Sequence, residues 1–235
     1  MDQNESHAPL VHQIWFSSSS DPNGLAAGSQ QIVKLVGEER YRLWTLGLAR
    51  EFLVDHFEDA VVSAFDRLKP LAYKADLTRY CVVQQLGGFY LDQSVSDVKL
   101  PNTESFDFIG FCDPNAEFSS WKVANNYFFA RAGSPILQDS IHEVVEHCER
   151  RYYGKDPHFP TGPSVLGRSV AKLGPELNVM IGQYIWLQRR RNKYVLPHHG
   201  VVGRGKVGGK YQGGISGIPG GNNYNELWRN RDVYE

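Results

Sequence analysis

Short apolar runs alternate along this chain with longer segments in which apolar residues recur every three or four positions. The short runs are typical of buried strands, and the wider spacing is typical of amphipathic helices. Because the two kinds of segment alternate, the pattern predicts an α/β fold. The predicted strands are residues 10–16, 89–91, 107–112 and 126–130. The predicted helices are residues 30–39, 49–56, 60–68, 70–86 and 136–152, with another that begins at the TGPSVLG string, residues 161–167, and runs to about Lys172.

The clearest predicted helix, residues 70–86, carries the first candidate chemistry. Proline at its start and the Gly87–Gly88 pair at its end are typical helix boundaries. Asp76 and Arg79 are three positions apart, so their side chains project from one face of this helix. An exposed ion pair is the alternative interpretation, but the helix leads directly into a strand that ends at Asp92. Ligands of open α/β sheets bind at the carboxyl ends of strands, which favours a site built from these three residues.

Length and charge limit the architecture and the classes of partner. The 235 residues, 41% of them hydrophobic, suffice for one continuous core, and we predict a single domain over residues 1–235. The formal net charge of −1 predicts no general attraction to nucleic acid. Positive charge is instead local, because no acidic residue lies between residues 178 and 225. The chain is predicted to be irregular after residue 157, with a glycine-rich basic loop over 198–228. This basic region either faces an anion or is a solvated basic strand or loop.

The spacing of the cysteines and the hydropathy of the chain predict the cellular compartment of the protein. The three cysteines lie far apart without a CxxC pair, which argues against a disulfide scaffold or a structural zinc site and favours a reducing compartment. No window holds the roughly 18 apolar residues that a membrane-spanning helix needs. We therefore expect a cytoplasmic protein without a transmembrane segment, either in solution or in peripheral contact with the inner face of the membrane.

The string YKADLTRYCVVQQLGGFYLD, residues 73–92, resembles the sugar-binding region of the DXD-motif sugar-transferase family. That family includes fungal initiating mannosyltransferases, bacterial capsule and O-antigen transferases, and the clostridial glucosylating toxins. Its members share a Lys-x-Asp-Leu-x-Arg-Tyr helix, a Gly-Gly pair and an aromatic-Leu-Asp strand followed by a second acid. Weaker likeness continues in the strings PLVHQIWF, NNYFFARAGSPIL, TGPSVLG and GGNNYNELW.

The resemblance implies a GT-A fold, the nucleotide-sugar transferase type, with a Rossmann-like mixed sheet flanked by helices. It implies a retaining hexosyltransferase that moves a sugar from a nucleotide-diphosphate sugar to a glycan or lipid-linked acceptor, in surface polysaccharide synthesis. By the same likeness Asp76 and Arg79 bind hydroxyls of the transferred sugar, while Asp92 faces the ribose and a metal. Trp15 stacks on the base unless it belongs to the core. The other donor-binding candidates are Tyr80, Asn125, Asn126, Gly162, Lys206, Asn223, Asn225 and Trp228.

One position departs from the family pattern, because Ser94 stands where a second aspartate completes the metal-binding motif. A hydroxyl is a weaker ligand for a hard cation than a carboxylate. A divalent metal, Mn²⁺ or Mg²⁺, is still expected, unless the basic region neutralises the diphosphate without one. The metal-ligand candidates are Asp92 and Ser94, followed by Glu226, His198 and His199. The departure leaves open an alternative function, a non-catalytic protein that binds a nucleotide sugar or a glycan.

Other chemistries find less support in the sequence. Residues 203–208 match GxGxxG, but no helix is predicted after them, which argues against a dinucleotide-binding fold. The absence of a GxSxG string argues against a serine hydrolase of that type. A metal-dependent phosphodiesterase is a third class, although it normally needs more clustered His and Asp than this chain offers.

Overall fold

The computed structural model describes residues 8–16, 27–113, 121–187, 189–207 and 222–235. Within these residues, eight strands form one sheet. The strands are β1 (Val11–Ile14), β2 (Tyr41–Trp44), β3 (Gly88–Leu91), β4 (Phe108–Cys112), β5 (Tyr127–Ala130), β6 (Val179–Ile185), β7 (Arg191–Leu196) and β8 (Gly200–Val207). The helices are α1 (Ala27–Val36), α2 (Leu46–His56), α3 (Asp59–Arg67), α4 (Leu71–Leu86), α5 (Pro135–Glu149), α6 (Pro163–Leu173) and α7 (Tyr224–Arg229), with a 3₁₀ turn at Gly174–Glu176.

The sheet is mixed, with the strand order β2-β1-β3-β5-β4-β6-β7-β8. β1 is parallel to β2 and β3, β5 is antiparallel to β3 and β4, and β4 is parallel to β6. The carboxyl ends of β1, β2, β3, β4 and β6 therefore lie at one edge of the sheet, together with the start of β5. We call this edge the carboxyl edge.

Alternate residues of the central strands enter two hydrophobic cores, one on each face of the sheet. Tyr90 and Phe128 belong to the larger core, which includes side chains of α2 to α6. Phe89 and Phe129 belong to the smaller core, which includes side chains of α1 and of β6 to β8. Neighbouring residues separate in this way because strand side chains point to alternate faces. The predicted α/β fold, a mixed sheet flanked by helices, is confirmed.

Helix α4 and strand β3 are joined by two glycines whose backbone conformation disfavours other residues. Gly87 has a φ of +67° and Gly88 a φ of +110°, which residues with a Cβ rarely adopt. A Cβ on Gly88 would lie 2.4 Å from the carbonyl oxygen of Leu10. The buried His12 ring anchors this turn, because its Nε2 lies 2.9 Å from the carbonyl oxygen of Gly87. The predicted helix over 70–86 and the strand that follows are confirmed, to within one residue at their ends. The two glycines between them have positive φ, although Gly87, with a ψ of 176°, does not adopt the left-handed helical conformation of the predicted cap.

The C-terminal part of the chain differs from the prediction. The sequence predicts an irregular chain after residue 157 and a loop over 198–228. These predictions are wrong for the described residues, in which β6, β7, β8 and α7 form. Strand β2 was also not predicted. Gly203 and Gly205 lie within β8, where an added Cβ would approach the Tyr127 ring to 3.2 Å and the Tyr184 hydroxyl to 2.9 Å. These glycines make room for tyrosine rings from other strands, which the local pattern does not reveal; residues 208–221 lie outside the described residues.

Two further observations concern the pairing of the cysteines and the presence of membrane-spanning helices. Cys81, Cys112 and Cys148 are free cysteines, and Cys81 and Cys148 are buried. In the part of the chain that the structure describes, no helix combines the length and apolarity needed to cross a bilayer.

Candidate functional site

The carboxylate of Asp76 is the centre of a polar cluster at one side of α4. Its Oδ1 lies 3.3 Å from Nη2 of Arg79 and accepts a 2.8 Å hydrogen bond from Nδ2 of Asn125. Its Oδ2 accepts a 2.8 Å hydrogen bond from Oγ1 of Thr161. A carboxylate offers about four lone-pair sites, and three donors leave about one for a ligand. Because 14% of the Asp76 side chain is accessible, a ligand hydroxyl is able to reach it.

Arg79 is fixed by contacts on every side of its guanidinium. Its Nε donates to the carbonyl oxygen of Ala75 at 3.1 Å, and its Nη1 donates to that of Asn125 at 2.9 Å. The guanidinium carbon lies 4.5 Å from the centre of the Tyr90 ring, close enough for a cation–π interaction. The side chain is only 8% exposed, so its position is set before any ligand binds.

Burial acts on both charges of this ion pair. It raises the pKa of Asp76, while Arg79, Thr161 and Asn125 act in the opposite direction. Burial also works to lower the pKa of Arg79, but interactions with Tyr90, Asp76 and Asp92 outweigh it and the pKa is raised. Arg79 therefore stays charged. Asp92 contributes to the raised pKa of Arg79, so the Asp92 carboxylate lies close enough to interact with the guanidinium.

Tyr80, Asn125 and the start of α6 form the wall beside Asp76. The Tyr80 hydroxyl donates to the carbonyl oxygen of Thr161 at 3.0 Å and accepts from Nδ2 of Asn125 at 3.1 Å. Gly162 caps α6, and a Cβ there would lie 3.4 Å from Oδ2 of Asp76. Sequence reasoning named Tyr80, Asn125 and Gly162 but missed Thr161. The only signal for Thr161 was its place in the TGPSVLG string.

Asp92 follows β3 at the carboxyl edge. Its backbone N–H donates to the carbonyl oxygen of Asn126 at 2.8 Å. The Ser94 hydroxyl donates a 2.6 Å hydrogen bond to Oδ2 of Asp92, so Ser94 occupies the position next to the carboxylate where the second acid was expected. The structure thus brings the predicted residues of α4, β3 and the start of β5 together at one end of the sheet.

Gln93, between Asp92 and Ser94, was not singled out from the sequence. Both polar atoms of its amide are buried, and neither has a hydrogen-bond partner among the described residues. The same holds for Oδ1 of Asn126. Buried polar groups are normally satisfied, so these atoms are candidates for contact with a ligand or with water beside Asp92.

The metal candidates do not form a metal site from protein groups alone. Within the described residues, no group of three or more His, Cys, Asp or Glu is placed to hold an ion. His198 and His199 are exposed in the turn between β7 and β8, and Glu226 is exposed on α7. Mg²⁺ usually binds through one or two carboxylates together with substrate phosphates. Asp92, with Ser94 beside it, fits a cation shared with a phosphorylated ligand.

The remaining predicted donor-binding residues lie at the ends of β1 and β8 and on α7. Trp15 is half-buried directly after β1, at the carboxyl edge. Lys206 lies in β8, and its side chain is outside the described part of the structure. The side chain of Asn223 caps α7 by accepting from the N–H of Asn225 at 3.1 Å. The indole N–H of Trp228 donates to the carbonyl oxygen of Tyr153 at 2.7 Å, and the roles of all these residues toward a donor stay predictions.

A buried ion pair supports the loop that carries Thr161. Nζ of Lys122 lies 2.7 Å from Oδ2 of Asp156, whose Oδ1 accepts from the backbone N–H of His158 at 2.7 Å. Burial works to raise the pKa of Asp156, but hydrogen bonds from His158 and Lys122 outweigh it and the pKa is lowered. The carbonyl oxygen of His158 in turn accepts from the N–H of Gly162 at 3.1 Å. Sequence reasoning missed this pair, since 34 positions separate its members.

No family model matches the chain, but individual proteins and solved structures are similar to it. The chain is 30% identical over 129 residues to an uncharacterized glycosyltransferase of Acanthamoeba polyphaga mimivirus, a match that covers 53% of this chain and 49% of that protein. It is 30% identical over 83 residues to inositol phosphoceramide mannosyltransferase 2 of Schizosaccharomyces pombe, covering 35% of this chain and 24% of that protein. Among solved structures, the PaToxG glycosyltransferase aligns with a TM-score of 0.45 and 15% identity, over 72% of this chain and 71% of that one.

These relatives confirm the resemblance to sugar transferases that residues 73–92 indicate, because one is named a glycosyltransferase and the other a mannosyltransferase. The chain spans half or less of the length of the two curated relatives it matches.

Proposed function

We propose that this protein is a GT-A-type glycosyltransferase that moves a sugar from a nucleotide-diphosphate sugar to a hydroxyl of a glycan or glycolipid acceptor, in surface polysaccharide synthesis. The observation that carries the proposal is the Asp76 carboxylate, held by Arg79, Asn125 and Thr161 with capacity for about one more donor. A sugar hydroxyl is such a donor. The glycosyltransferase relatives support the same reaction class.

The chemistry follows from what the donor must lose. The bond between the anomeric carbon and the diphosphate breaks, the acceptor oxygen bonds to that carbon, and the acceptor proton passes to the departing diphosphate. We propose attack on the face from which the diphosphate leaves, with retention of configuration. Asp76 is poorly placed to act as a covalent nucleophile, because Arg79 and two hydrogen bonds already engage its oxygens. Its role is to orient the sugar.

Negative charge grows on the diphosphate as the bond breaks, and this charge must be stabilised. Asp92, with Ser94 beside it, would hold a divalent cation, Mn²⁺ or Mg²⁺, together with diphosphate oxygens. Such a cation would neutralise the charge of the leaving group. Arg79 adds a positive charge whose position is fixed by Ala75 and Asn125 before the donor binds, so no reorganisation is needed during the reaction.

A second candidate function is a protein that binds a nucleotide sugar without turning it over. Ser94 favours this binding function. Its hydroxyl, hydrogen-bonded to Asp92, stands where a second carboxylate would bind a metal more strongly.

Donor hydrolysis separates these functions. Purified protein is incubated with a set of nucleotide-diphosphate sugars, with Mn²⁺, with Mg²⁺ and with EDTA, and released sugar is measured. We expect slow hydrolysis of at least one donor, reduced by about 100-fold in Asp76→Asn and in Asp92→Asn. The matched control is Asp66→Asn, since Asp66 lies in a solvent-exposed pair with Arg50 and its loss should leave hydrolysis unchanged.

Two outcomes contradict the transferase, and a third contradicts the specific role of Asp76. Tight donor binding in a thermal-shift assay, without hydrolysis or transfer to any acceptor, supports the binding protein. Cleavage of simple phosphodiesters supports the phosphodiesterase. Equal loss in Asp66→Asn and Asp76→Asn indicates a general effect of charge removal, and a melting curve of each variant shows that it is folded.

A further inference from the structure

Three large apolar side chains are exposed at the carboxyl edge. Trp121 is 62% exposed, Ile185 is 39% exposed and Trp186 is 47% exposed. Single exposed apolar residues are common on soluble proteins, but a group of them marks an interaction site.

The strand register places these residues beside one another. Cys112, the last residue of β4, pairs with Gln183 of β6 on one side and with Val123 on the other. Ile185 and Trp121 each lie two residues farther toward the carboxyl edge. Neighbouring strands are about 4.8 Å apart, so the backbones of Trp121 and Ile185 are separated by about two strand spacings. Strand side chains alternate, so Ile185 points to the face opposite Tyr184, whereas the Trp186 ring lies against Tyr184. The three side chains therefore share one end of the sheet, where they surround its rim.

Trp186 is held outward by fixed neighbours. Its ring meets the Tyr184 ring edge-on, with the ring centres 6.4 Å apart, and Tyr184 is itself stacked on Tyr194. The buried Asn192 side chain donates to the Tyr184 hydroxyl at 2.9 Å and accepts from the backbone N–H of Leu187 at 3.0 Å. Tyr184 and Leu187, which precede and follow Trp186, are thus both hydrogen-bonded to Asn192. The exposed ring is presented by a rigid support.

Positive charge adjoins this apolar surface. Arg189, Arg190 and Arg191 are exposed in and after the turn between β6 and β7. Across the described residues, Arg189 and Arg190 enter no ion pair. No acidic residue lies between positions 178 and 225, and Asp113, directly after β4, is a described acidic residue at the same edge. We call the surface formed by Trp121, Ile185, Trp186, Arg189 and Arg190 the rim patch.

We propose that the rim patch docks on the surface of an anionic lipid bilayer. Tryptophan is enriched at the boundary between headgroups and hydrocarbon, and arginine is attracted to anionic headgroups. The match is one of charge and of polarity, because the patch joins unpaired cations to exposed aromatic and aliphatic surface. Since the net charge of the whole chain is −1, attraction depends on this local patch and weakens as salt screens it.

Docking would turn the carboxyl edge, and with it Asp92, toward the membrane. A lipid-linked acceptor would then meet the site at the surface in which it is anchored. Membrane binding itself does not depend on the proposed transfer, so a protein without transferase activity would still show it.

Vesicle sedimentation tests the proposal. Purified full-length protein is mixed with vesicles of phosphatidylcholine alone and of phosphatidylcholine with phosphatidylglycerol, at low and at physiological salt. We expect sedimentation only with the anionic vesicles, with less protein bound at higher salt. Each arginine near an anionic surface contributes about 1 kcal/mol, so Arg189→Gln with Arg190→Gln should lower the partition coefficient about 30-fold. Trp186→Ser should lower it by about tenfold, because it removes the aromatic anchor.

Matched controls lie at the opposite edge of the sheet. Leu86→Ser removes an exposed apolar side chain at the end of α4, and Arg131→Gln removes an exposed arginine directly after β5. Both should bind anionic vesicles as the wild type does. Equal sedimentation with neutral vesicles, no sedimentation with either kind, or wild-type binding by the rim-patch variants would overturn the proposal. Preferential binding of a soluble polyanion such as heparin, lost in the same variants, would also overturn it and assign the patch to a soluble partner.

Discussion

The Ser94 hydroxyl donates a hydrogen bond of 2.6 Å to Oδ2 of Asp92. This contact satisfies one oxygen of the carboxylate with a neutral group at the position where sugar transferases of this pattern have a second acid. The local charge available to a cation is correspondingly lower. Metal affinity is therefore the property in which this site should differ most from a site with two acids.

Replacing Ser94 tests that consequence. Ser94→Asp places two carboxylates next to one another, and in EDTA their repulsion should lower the melting temperature. Mn²⁺ should reverse the loss and bind about tenfold more tightly than it binds the wild type, because carboxylates are better ligands for hard cations. Isothermal titration and melting curves with and without Mn²⁺ measure both effects. Ser94→Ala is the control without an added charge, and equal Mn²⁺ affinity in the two variants would contradict a metal at Asp92.

His12 predicts a pH dependence of stability. Its Nδ1 accepts from the indole N–H of Trp44 at 3.2 Å, so the proton of the neutral ring lies on Nε2, which donates to the carbonyl oxygen of Gly87. Burial is the main reason that the pKa of His12 falls from 6.5 to about 4, with a smaller contribution from Arg42 in the same direction and an opposing one from Gly87. As pH falls from 6.5 toward 4, the unfolded chain binds a proton that the folded protein does not. Stability is therefore lost in that interval, by about 3 kcal/mol in total.

His12→Gln isolates this contribution, because glutamine can still donate to Gly87 and accept from Trp44. Denaturant unfolding at pH 7 and at pH 4 should show a smaller loss of stability for His12→Gln than for the wild type. His199→Gln, at an exposed turn position, should behave as the wild type. Equal pH dependence of the wild type and His12→Gln would show that the ring is not the group that titrates.

Gly162, the N-cap of α6, and Gly167, within α6, should separate activity from stability. A Cβ on Gly162 would lie 3.2 Å from the carbonyl oxygen of His158 and 3.4 Å from Oδ2 of Asp76, which is tight but tolerable. A Cβ on Gly167 would lie only 1.6 Å from the carbonyl oxygen of Trp121, so the helix and that segment would have to separate. Gly167→Ala should lose about 1–3 kcal/mol of unfolding free energy. Gly162→Ala should keep most of its stability but lose about tenfold or more in donor hydrolysis, because the methyl group narrows the space beside Asp76.

Hydrolysis assays and denaturant unfolding of the same two preparations measure this separation. A Gly162→Ala variant with normal hydrolysis would argue that the sugar does not lie against Asp76. A stable Gly167→Ala variant would show that the segment at Trp121 adjusts without cost.

Short-range features of the chain were sufficient to predict the elements that carry the centre of the candidate site. The helix over 70–86, the Gly87–Gly88 turn and Asp92 are specified by neighbours within a few positions, through helix periodicity and the steric demand of a left-handed turn. The resemblance in residues 73–92 depends on the same short spacings. These elements could be located without knowing what packs on them.

The other half of the site was decided by the tertiary structure. Thr161 reaches Asp76 across 85 positions, and Lys122 meets Asp156 across 34. β8 forms although it is rich in glycine, because Gly203 and Gly205 admit tyrosine rings from other strands. Local propensity does not record such contacts, since their free energy arises only when distant segments pack together and leave water. The chain thus encodes Asp76, Arg79 and Asp92 locally, but the groups that orient them and the exposed face beside them exist only in the folded sheet.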